Sequence, residues 1–377
     1  MLVQTMKPRE PKSILENVNE IRRIDKSNML QFCVEASRHC REAAKISDKI
    51  SIDCAEVDNI VVAGMGGSAI GGELLKDYAR NQTPIPIEVS RDYNLPAFAS
   101  KRSLAIIVSY SGETEESLST FLDAAKKDCL IYCISSGGRL IEYAAKLGKP
   151  YLRVPSGMPP RAALPYLFLP QLVILEKRGL IPGLSDALSE ATQIAERVSR
   201  ENAPEKPVNE SVAKSLALGI KDTVPAVYGF GVYRGVAQRW KQQFNENSKV
   251  PARWEIFPEL DHNEIVGWER ADFVAQIFST IFIRDENEAA EVRSRIETTK
   301  KLMPRASKKF EVWSQGKNVL AKMLSTILVG DFASVYLAII RNVDPTPVKT
   351  IVELKRKLSE TEKKERIIQE LEKLKSP

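Results

Sequence analysis

Three hydroxyl side chains are crowded into a short segment of this chain, at Ser109, Ser111 and Thr114. They directly follow an apolar run at 104–108, which is typical of a strand buried on both faces of a parallel sheet. Ligands bind at the carboxyl edge of such sheets, where hydroxyls and backbone N–H groups can hold a phosphate monoester. No lysine accompanies the hydroxyls, so the pattern favours a phosphate that is held rather than transferred. The alternative is that these residues only cap the following helix.

A glycine cluster, Gly64, Gly66 and Gly67, follows a short β-branched run at 60–62 and precedes Ser68. Apolar residues at helical spacing come next, so the order indicates a strand, a tight turn and a helix. Glycine lets the backbone approach a bound group, and the start of a helix offers N–H groups to an anion. The cluster matches neither a Walker A loop nor the dinucleotide-binding fingerprint. Taken alone, it also fits an ordinary strand-to-helix turn.

Four further side chains could move protons or stabilise charge, and each also has an ordinary explanation. Arg161 follows a fifth strand, where its fixed charge could stabilise an oxyanion, although a surface arginine fits as well. Glu246 closes a helix and His262 lies in an acidic loop. If both faced one pocket, they would supply a carboxylate base and a proton shuttle, but their spacing alone fits solvated residues. Lys355 lies one helical turn from apolar residues, and by default its stem covers an apolar face.

Composition narrows the class of protein. The chain of 377 residues can form two domains, and its net charge of +6 is spread out, which suits anionic metabolites, whereas nucleic-acid binders usually cluster their charge. Five cysteines without a Cys-x-x-Cys pair indicate reduced thiols in the cytoplasm. Two histidines are too few for a histidine-rich metal site. We find no signal peptide and no apolar run of membrane-spanning length, so no membrane partner is expected. Because the positive charge is not clustered, no nucleic-acid partner is expected either.

Strands alternate with helices along most of the chain, which predicts an α/β fold with parallel sheets and right-handed crossovers. Residues 11–52 are predicted to be helical and to pack against the first domain. The polar stretch 200–207 is the best candidate linker. Beyond it the strand–glycine–helix order restarts, so the second half resembles a degenerate repeat of the first.

The sequence also predicts several individual helices and strands. Pro165 and Pro170 predict a kinked or broken helix within 164–175. A long apolar helix is predicted at about 319–340, and an outer amphipathic helix at 348–375. The strands predicted for the second half are 224–228, 254–257, 273–278 and 309–313.

The chain resembles the sugar isomerase (SIS) family and, within it, the archaeal bifunctional phosphoglucose/phosphomannose isomerases. Two matching motifs, 64–68 (Gly-Met-Gly-Gly-Ser) and 109–114 (Ser-Tyr-Ser-Gly-Glu-Thr), are common to SIS domains and mark sugar-phosphate binding. Four others are specific to the isomerase branch, and together the motifs run over most of the chain. These four are 160–165 (Pro-Arg-Ala-Ala-Leu-Pro), 245–247 (Asn-Glu-Asn), 262–263 (His-Asn), and Asp344-Pro345 followed by 354–356 (Leu-Lys-Arg).

The resemblance implies two SIS domains, each a parallel sheet flanked by helices in the doubly wound manner. It also implies a homodimer with sites at the subunit interface. The expected boundaries are an N-terminal helical segment at 1–55, a first SIS domain at 56–203 that binds the sugar phosphate, and a second at 208–377 that includes the C-terminal helix.

The resemblance also implies a role for each candidate residue. Glu246 would move the proton between C1 and C2, and Arg161 would stabilise the cis-enediolate. His262, supplied by the partner subunit, and Lys355 would assist ring opening. The family mechanism needs no metal and no other cofactor. The residues that would hold the 6-phosphate or line its pocket are Gly66, Gly67, Ser68, Ser109, Ser111 and Thr114.

Two positions depart from the family pattern. The histidine loop of the family often has two adjacent histidines, and here the first is Asp261, whose carboxylate would favour the protonated form of His262. A family threonine before the last helix falls on Val348. That region helps the family to accommodate both C2 epimers of the sugar.

We therefore expect an aldose–ketose isomerase that interconverts glucose 6-phosphate and fructose 6-phosphate and also accepts mannose 6-phosphate. One alternative is a non-catalytic SIS module that senses a sugar phosphate. Such a module would not need Glu246, Arg161 and His262 together, and it would normally carry a DNA-binding domain, which we do not find in the sequence. A second alternative, the isomerase half of an amidotransferase, requires an N-terminal cysteine nucleophile, and Cys33 lies too deep in a helical segment.

Overall fold

A computed structural model describes residues 10–52, 56–269, 273–304, 306–358 and 362–374. Within these residues the chain forms two compact units, and each is built around one parallel sheet. The first unit comprises the described residues of 36–193, 317–321 and 348–377. The second unit comprises those of 1–35, 194–316 and 322–347. The predicted α/β fold with two parallel sheets and flanking helices is confirmed.

The sheet of the first unit is entirely parallel. Its central strand is buried at every residue, which explains the uninterrupted apolar sequence at 104–108. The strands are β1 (Asn59–Ala63), β2 (Ile87–Ser90), β3 (Ser103–Val108), β4 (Leu130–Ser135) and β5 (Tyr151–Arg153). They lie in the order β2-β1-β3-β4-β5. The strand order reverses between β1 and β3, so the carboxyl ends of these two strands border the crevice where such sheets bind ligands.

The sheet of the second unit is also parallel. Its strands are β6 (Val224–Phe230), β7 (Arg253–Phe257), β8 (Phe278–Arg284) and β9 (Lys308–Trp313), in the order β7-β6-β8-β9. This order repeats that of the first four strands of the other sheet. The structural repeat predicted from the sequence is therefore confirmed.

Helices precede, connect and follow the strands. Helices α5, α6 and α7 are the crossovers between parallel strands of the first sheet. The described α-helices, in chain order, are α1 (Pro11–Leu15), α2 (Val18–Ile24), α3 (Met29–Val34), α4 (Ala36–Ser47), α5 (Gly67–Ala79), α6 (Glu115–Lys126), α7 (Gly138–Lys146), α8 (Leu164–Lys177), α9 (Leu184–Glu201), α10 (Val212–Ile220), α11 (Arg234–Gln243), α12 (Phe273–Gln276), α13 (Ala290–Leu302), α14 (Val319–Ile340), α15 (Lys349–Leu358) and α16 (Lys363–Lys373).

The N-terminal helices are divided between the two units, which differs from the expected packing of 1–55 on the first domain. Helix α4 belongs to the first unit, but α1, α2 and α3 belong to the second. The buried ammonium of Lys214 in α10 donates to the carbonyls of Leu15, Pro204 and Lys206 at 2.7, 2.8 and 2.6 Å. Burial lowers the pKa of Lys214 to about 8, so the side chain is still charged at neutral pH. This charge–dipole contact fastens α1 to the second unit.

The boundary between the units also differs from the expected linker. It falls between Gln193 and Ile194, inside the continuous helix α9. The polar stretch 200–207 instead ends α9 and forms a turn, and two carbonyls of that turn accept from Lys214. Turn-forming residues produced the linker-like composition.

The C-terminal helices belong to the first unit rather than to a domain at 208–377. Helix α16 buries Ile367 and Leu371 in an apolar cluster that also contains Leu118 of α6. At the rim of this contact, the ammonium of Lys364 lies 3.0 Å from the Glu113 carboxylate. The amphipathic helix predicted at 348–375 is thus two helices, and Lys375 lies outside the described residues.

Two local predictions need correction. Helix α8 is not broken at its prolines: Pro165 lies in the first turn, where a helix needs no N–H donor, and Pro170 lies inside the continuous helix, where a kink stays a prediction. The strand predicted at 273–278 is largely helix α12, and β8 begins at Phe278. Phe273 and Val274 are exposed, so this short apolar run did not mark a buried strand.

Helix α14 corrects the expectation that no apolar run reaches membrane-spanning length. Its 22 residues are long and apolar enough to cross a membrane by length and composition, but 94% of its most apolar window is buried inside the protein. That burial is typical of the core helix of a soluble protein. The described cysteines Cys33, Cys40, Cys129 and Cys133 are buried free thiols, and Cys54 lies outside the described residues.

The packing of α16 predicts that Leu371→Ala destabilises the first unit by about 2–5 kcal/mol, since Leu371 is 0% exposed and its removal leaves a cavity. Urea denaturation of the full chain measures the effect. Leu358→Ala is the matched control, because Leu358 on α15 is 40% exposed. Equal destabilisation by the two substitutions would show that α16 does not contribute to the core.

Candidate functional site

The turn after β1 brings the glycine cluster against the segment that carries Arg161. Helix α5 begins at Gly67, after Gly66 with a positive φ of 50°. A Cβ on Gly67 would lie 3.0 Å from the carbonyl carbon of Pro160 and 3.1 Å from the amide nitrogen of Arg161. Only a glycine allows this approach without displacing the backbone. These distances place Arg161, which lies in a 3₁₀ turn at Pro160–Ala162, next to the start of α5. Arg161 is only 3% exposed.

The loop after β3 arranges its hydroxyls by hydrogen bonds within the loop. The Ser109 hydroxyl accepts from the Gly112 amide at 3.2 Å and donates to the Thr114 hydroxyl at 3.1 Å. The exposed Ser111 hydroxyl accepts from the amide of Glu113. Thr114 precedes α6, yet its side chain makes no capping hydrogen bond to that helix. Capping therefore does not explain Thr114, whose hydroxyl instead contacts that of Ser109.

Tyr110 joins the loops that follow four strands of the sheet, and sequence reasoning missed it. Its amide donates to the Ser68 hydroxyl after β1 at 3.2 Å, and its carbonyl accepts from the Ser136 hydroxyl after β4 at 2.7 Å. Its own hydroxyl donates to the carbonyl of Pro155 after β5 at 2.9 Å and accepts from the Met158 amide. The sequence feature that could have identified Tyr110 is an aromatic residue with a polar end inside a serine- and glycine-rich loop.

Glycines let the loops after β3 and β4 touch. A Cβ on Gly112, whose φ is 69°, would lie 1.8 Å from the carbonyl oxygen of Gly137. A Cβ on Gly138, with the same φ, would lie 2.5 Å from the carbonyl oxygen of Ser111. Helices α5, α6 and α7 all begin at this edge, so their first N–H groups favour an anion there.

One acidic residue at this edge, Glu113, is neutralised by its neighbours. Its carboxylate accepts from the Arg139 amide at 3.0 Å and pairs with the side chains of Arg139 and Lys364 at 3.1 and 3.0 Å. Partial burial acts to raise the pKa of Glu113, but the Arg139 amide and the Lys364 ammonium outweigh it and keep the pKa below its usual range. The charge at this position is thus balanced by two cations that do not belong to the loop.

In the second unit, Glu246 lies on a π-helical turn, Phe244–Ser248, that continues α11. This turn and helix α11, which leads into it, are fastened to α14 by buried polar contacts. Arg239 makes a two-point ion pair with Asp331 at 3.0 and 2.7 Å, and the Asn247 amide donates to the Ser334 hydroxyl at 2.9 Å. Breaking such a buried pair typically costs about 3–5 kcal/mol, so the turn has little freedom to move. Glu246 itself is half-buried.

Lys249 closes the π-helical turn in a left-handed conformation, with φ at 54°. Its ammonium donates to the Glu246 carbonyl and to the Pro345 carbonyl, both at 2.7 Å. Lys249 thereby ties the backbone of Glu246 to the Asp344-Pro345 motif. In the sequence, this motif is recognised only as a match to the family, with no role assigned to it.

His262 is exposed at the end of a 3₁₀ turn, Glu259–His262. The neighbouring Asp261 carboxylate is engaged by α13, where it accepts from Arg295 at 3.0 Å and from the Thr299 hydroxyl at 2.8 Å. The expected influence of this carboxylate on His262 stays a prediction. The charge of the carboxylate is balanced by an arginine on another element.

The structure brings together seven of the ten candidate residues at one edge of the first sheet. Glu246 and His262 lie in the second unit, and Lys355 lies on α15 of the first unit, which has no buried residue. Among the described residues, we find no group of three histidine, cysteine or acidic side chains that could hold a metal ion. The seven residues at the edge are Gly66, Gly67, Ser68, Ser109, Ser111, Thr114 and Arg161.

The two doubly wound sheets and this hydroxyl-lined edge define a protein of the SIS class. A family profile described as the bacterial phospho-glucose isomerase C-terminal SIS domain matches residues 209–358. The solved structure of a glucose-6-phosphate isomerase from Chlamydia trachomatis D/UW-3/Cx has the same fold, with a TM-score of 0.70 at 13% identity. That match covers 97% of this chain and 86% of the other.

Sequence relatives define the family more narrowly. A bifunctional phosphoglucose/phosphomannose isomerase of Caldicellulosiruptor bescii is 40% identical over 88% of this chain and 99% of its own length. One from Thermoplasma acidophilum is 34% identical over 85% of this chain and 99% of its own. The chain belongs to the bifunctional phosphoglucose/phosphomannose isomerase family, as the motifs predicted, and it is an isomerase.

The close approach of the loops predicts that Gly112→Ala destabilises the protein far more than Gly157→Ala. Both glycines have positive φ, at 69° and 91°, but a Cβ on Gly157 would meet nothing within 4 Å. We expect about 1–2 kcal/mol for the strained φ at Gly157. For Gly112 we expect about 3 kcal/mol or more, because the Gly137 carbonyl must move. Urea denaturation compares the two variants, and equal losses would mean that the contact between the loops is not tight.

Proposed function

We propose that this protein interconverts glucose 6-phosphate and fructose 6-phosphate, and also mannose 6-phosphate and fructose 6-phosphate, by proton transfer through a cis-enediolate. The observation that carries the proposal is the hydroxyl-lined edge of the first sheet, with the buried Arg161 beside it. Its support from relatives is the 40% identity to a protein named as a bifunctional isomerase, over nearly the whole of both chains.

The 6-phosphate is held at the first sheet by hydroxyls and by helix N-termini rather than by a lysine. Ser68, Ser109, Ser111 and Thr114 supply hydroxyls from two loops that Tyr110 joins. Gly66 and Gly67 let the backbone approach the phosphate closely. Binding without transfer suits an isomerase, because the phosphate serves only to anchor the sugar while the chemistry occurs at C1 and C2.

The proton transfer needs a base and a cation. Glu246 is the base, and the ordered π-helical turn that carries it supports this role, since a base must be held within hydrogen-bond reach of the proton. Arg161 is the cation, because its guanidinium stays charged and can stabilise the negative enediolate oxygen. His262 and Lys355 assist opening of the sugar ring. The reaction requires no metal or other cofactor.

The working form that we propose is a cytoplasmic homodimer in which the partner subunit donates the histidine. The exposure of His262 supports this arrangement, because a histidine that serves another subunit must be accessible on its own. The free, buried thiols support a reducing compartment.

Glu246→Gln should lower the kcat for fructose 6-phosphate by about three orders of magnitude, because the amide cannot accept the proton. A coupled assay that detects glucose 6-phosphate, run in the presence of EDTA, measures this effect. Glu286→Gln is the control, since Glu286 is an exposed carboxylate in a turn of the same unit. The same assay with mannose 6-phosphate tests the second substrate.

Each outcome of this assay identifies a different error. A wild type that binds fructose 6-phosphate without converting it would contradict the enzyme and favour a sugar-phosphate sensor. A fully active Glu246→Gln variant would leave the reaction in place but assign the base to another residue. Loss of activity in EDTA would contradict the metal-free mechanism.

A further inference from the structure

The segment 259–264, which we call the histidine loop, is fixed at several points in the second unit. Leu260 is completely buried and lies in the same apolar cluster as Phe257 and Phe282. On the far side of His262, the Asn263 amide group donates to Glu259 at 2.7 Å, which closes the loop on itself. An exposed histidine is thus carried by a short loop with a buried anchor.

The end of the histidine loop is fixed to the sheet by Glu264. Its carboxylate accepts from the hydroxyl of Tyr228 in β6 and pairs with Arg253 of β7 at 2.6 Å. The Glu264 side chain is only 6% exposed, so little water competes for these contacts. Burial, followed by the Glu264 carboxylate, raises the pKa of Tyr228, which keeps its hydroxyl a donor.

The residue immediately before His262, Asp261, fixes the histidine loop to α13 and stands where the family often has a histidine. Arg295 and Thr299 are four residues apart, so they share one face of α13. They donate to different oxygens of Asp261, and both oxygens of the carboxylate are thereby used. The Asp261 side chain is 11% exposed, whereas that of Arg295 is 43% exposed. The pair lies partly out of water and directly precedes His262.

We propose that Asp261 is a positioning residue for His262, acting through its two-point contact with Arg295 and Thr299. This role rests on the proposed function, in which His262 acts on the sugar. An exposed side chain on an unanchored loop would sample many positions, and a shift of about 1 Å can cost about 100-fold in rate. Asp261 and Glu264 restrain the backbone on both sides of His262, so the imidazole is attached to a backbone of fixed position.

Of the two restraints on the histidine loop, Asp261 is the better one to test by substitution. Glu264 also satisfies the buried Tyr228 hydroxyl, so its removal disturbs the core as well as the loop. Asp261 contacts one face of α13 near the surface, so its loss removes the restraint next to His262 and leaves the buried anchor Leu260 in place. The arginine also balances the charge of Asp261, so a carboxylate can stand beside His262 without adding a net negative charge to this position.

The test is a double-mutant cycle in the full-length enzyme, measured as kcat and KM for fructose 6-phosphate. We expect Asp261→Ala to lower kcat by about tenfold or more and to change KM by less than about threefold, because positioning acts on the reacting centre. In the His262→Ala background the same substitution should lower kcat no further. Asp222→Ala is the matched control, an exposed carboxylate paired with Lys221 in the same unit.

Two variants on α13 keep the role falsifiable if Asp261→Ala folds poorly. Arg295→Met and Thr299→Val each remove one donor to Asp261, and both should lower kcat. An Asp261→Ala variant with wild-type kcat would overturn the role, and so would an equal loss with and without His262, since that would indicate a general structural effect. An inactive wild type would overturn the proposed function and this role with it.

Discussion

The structure of the first unit depends on backbone meeting backbone at the carboxyl edge of its sheet. The loops after β3 and β4 approach so closely that a single methyl group on Gly112 would overlap the carbonyl of Gly137. The turn after β1 approaches Pro160 and Arg161 in the same way. Because side chains are excluded from these contacts, the loops pack closely, with Ser68 and Ser109 buried and Ser111 exposed. Tyr110 then joins them with hydrogen bonds from its amide, carbonyl and hydroxyl groups.

The second sheet has the same strand order but a different edge. There, Asp285 after β8 pairs with Lys322 at 2.8 Å and accepts from the Tyr233 hydroxyl at 2.6 Å. Burial acts to raise the pKa of Asp285, but the hydrogen bonds from Lys322 and Tyr233 outweigh it, so the carboxylate stays charged. This edge is filled by its own ion pair. The second unit presents its polar residues elsewhere, on the π-helical turn with Glu246 and on the histidine loop.

The two sheets thus share one topology, but the two units present different polar groups. One unit keeps an edge with many donors and balanced charge, which suits the binding of an anion. The other uses its ion pairs to hold two short, non-α-helical segments in place. Arg239 and Asp331 hold α11, which leads into the turn with Glu246, and Arg295 and Asp261 hold the loop with His262. In both cases a buried or half-buried charge pair fixes the segment that carries or precedes a polar side chain.

Sequence patterns were sufficient for the fold class, the repeat and the residues of the first edge, because each depends on local order. Strand, glycine turn and helix follow one another directly in the chain, and parallel strands place their carboxyl ends at the same edge. Short motifs such as 64–68 and 109–114 therefore identify these loops by themselves. They do not reveal Tyr110, since its role consists of contacts with residues 25 to 48 positions away in the chain.

Only the tertiary structure decided how the chain is divided. Helices α1 to α3 and the C-terminal helix α16 each belong to the unit that is distant in sequence, because Lys214 and Leu371 find their partners there. The apparent linker at 200–207 is an internal turn for the same reason. Composition cannot distinguish a linker from a turn whose carbonyls are bound, and periodicity shows that a helix has an apolar face without showing what covers it. The sequence alone determined which chemical groups stand at the ends of the strands, and long-range packing decided what holds them in place.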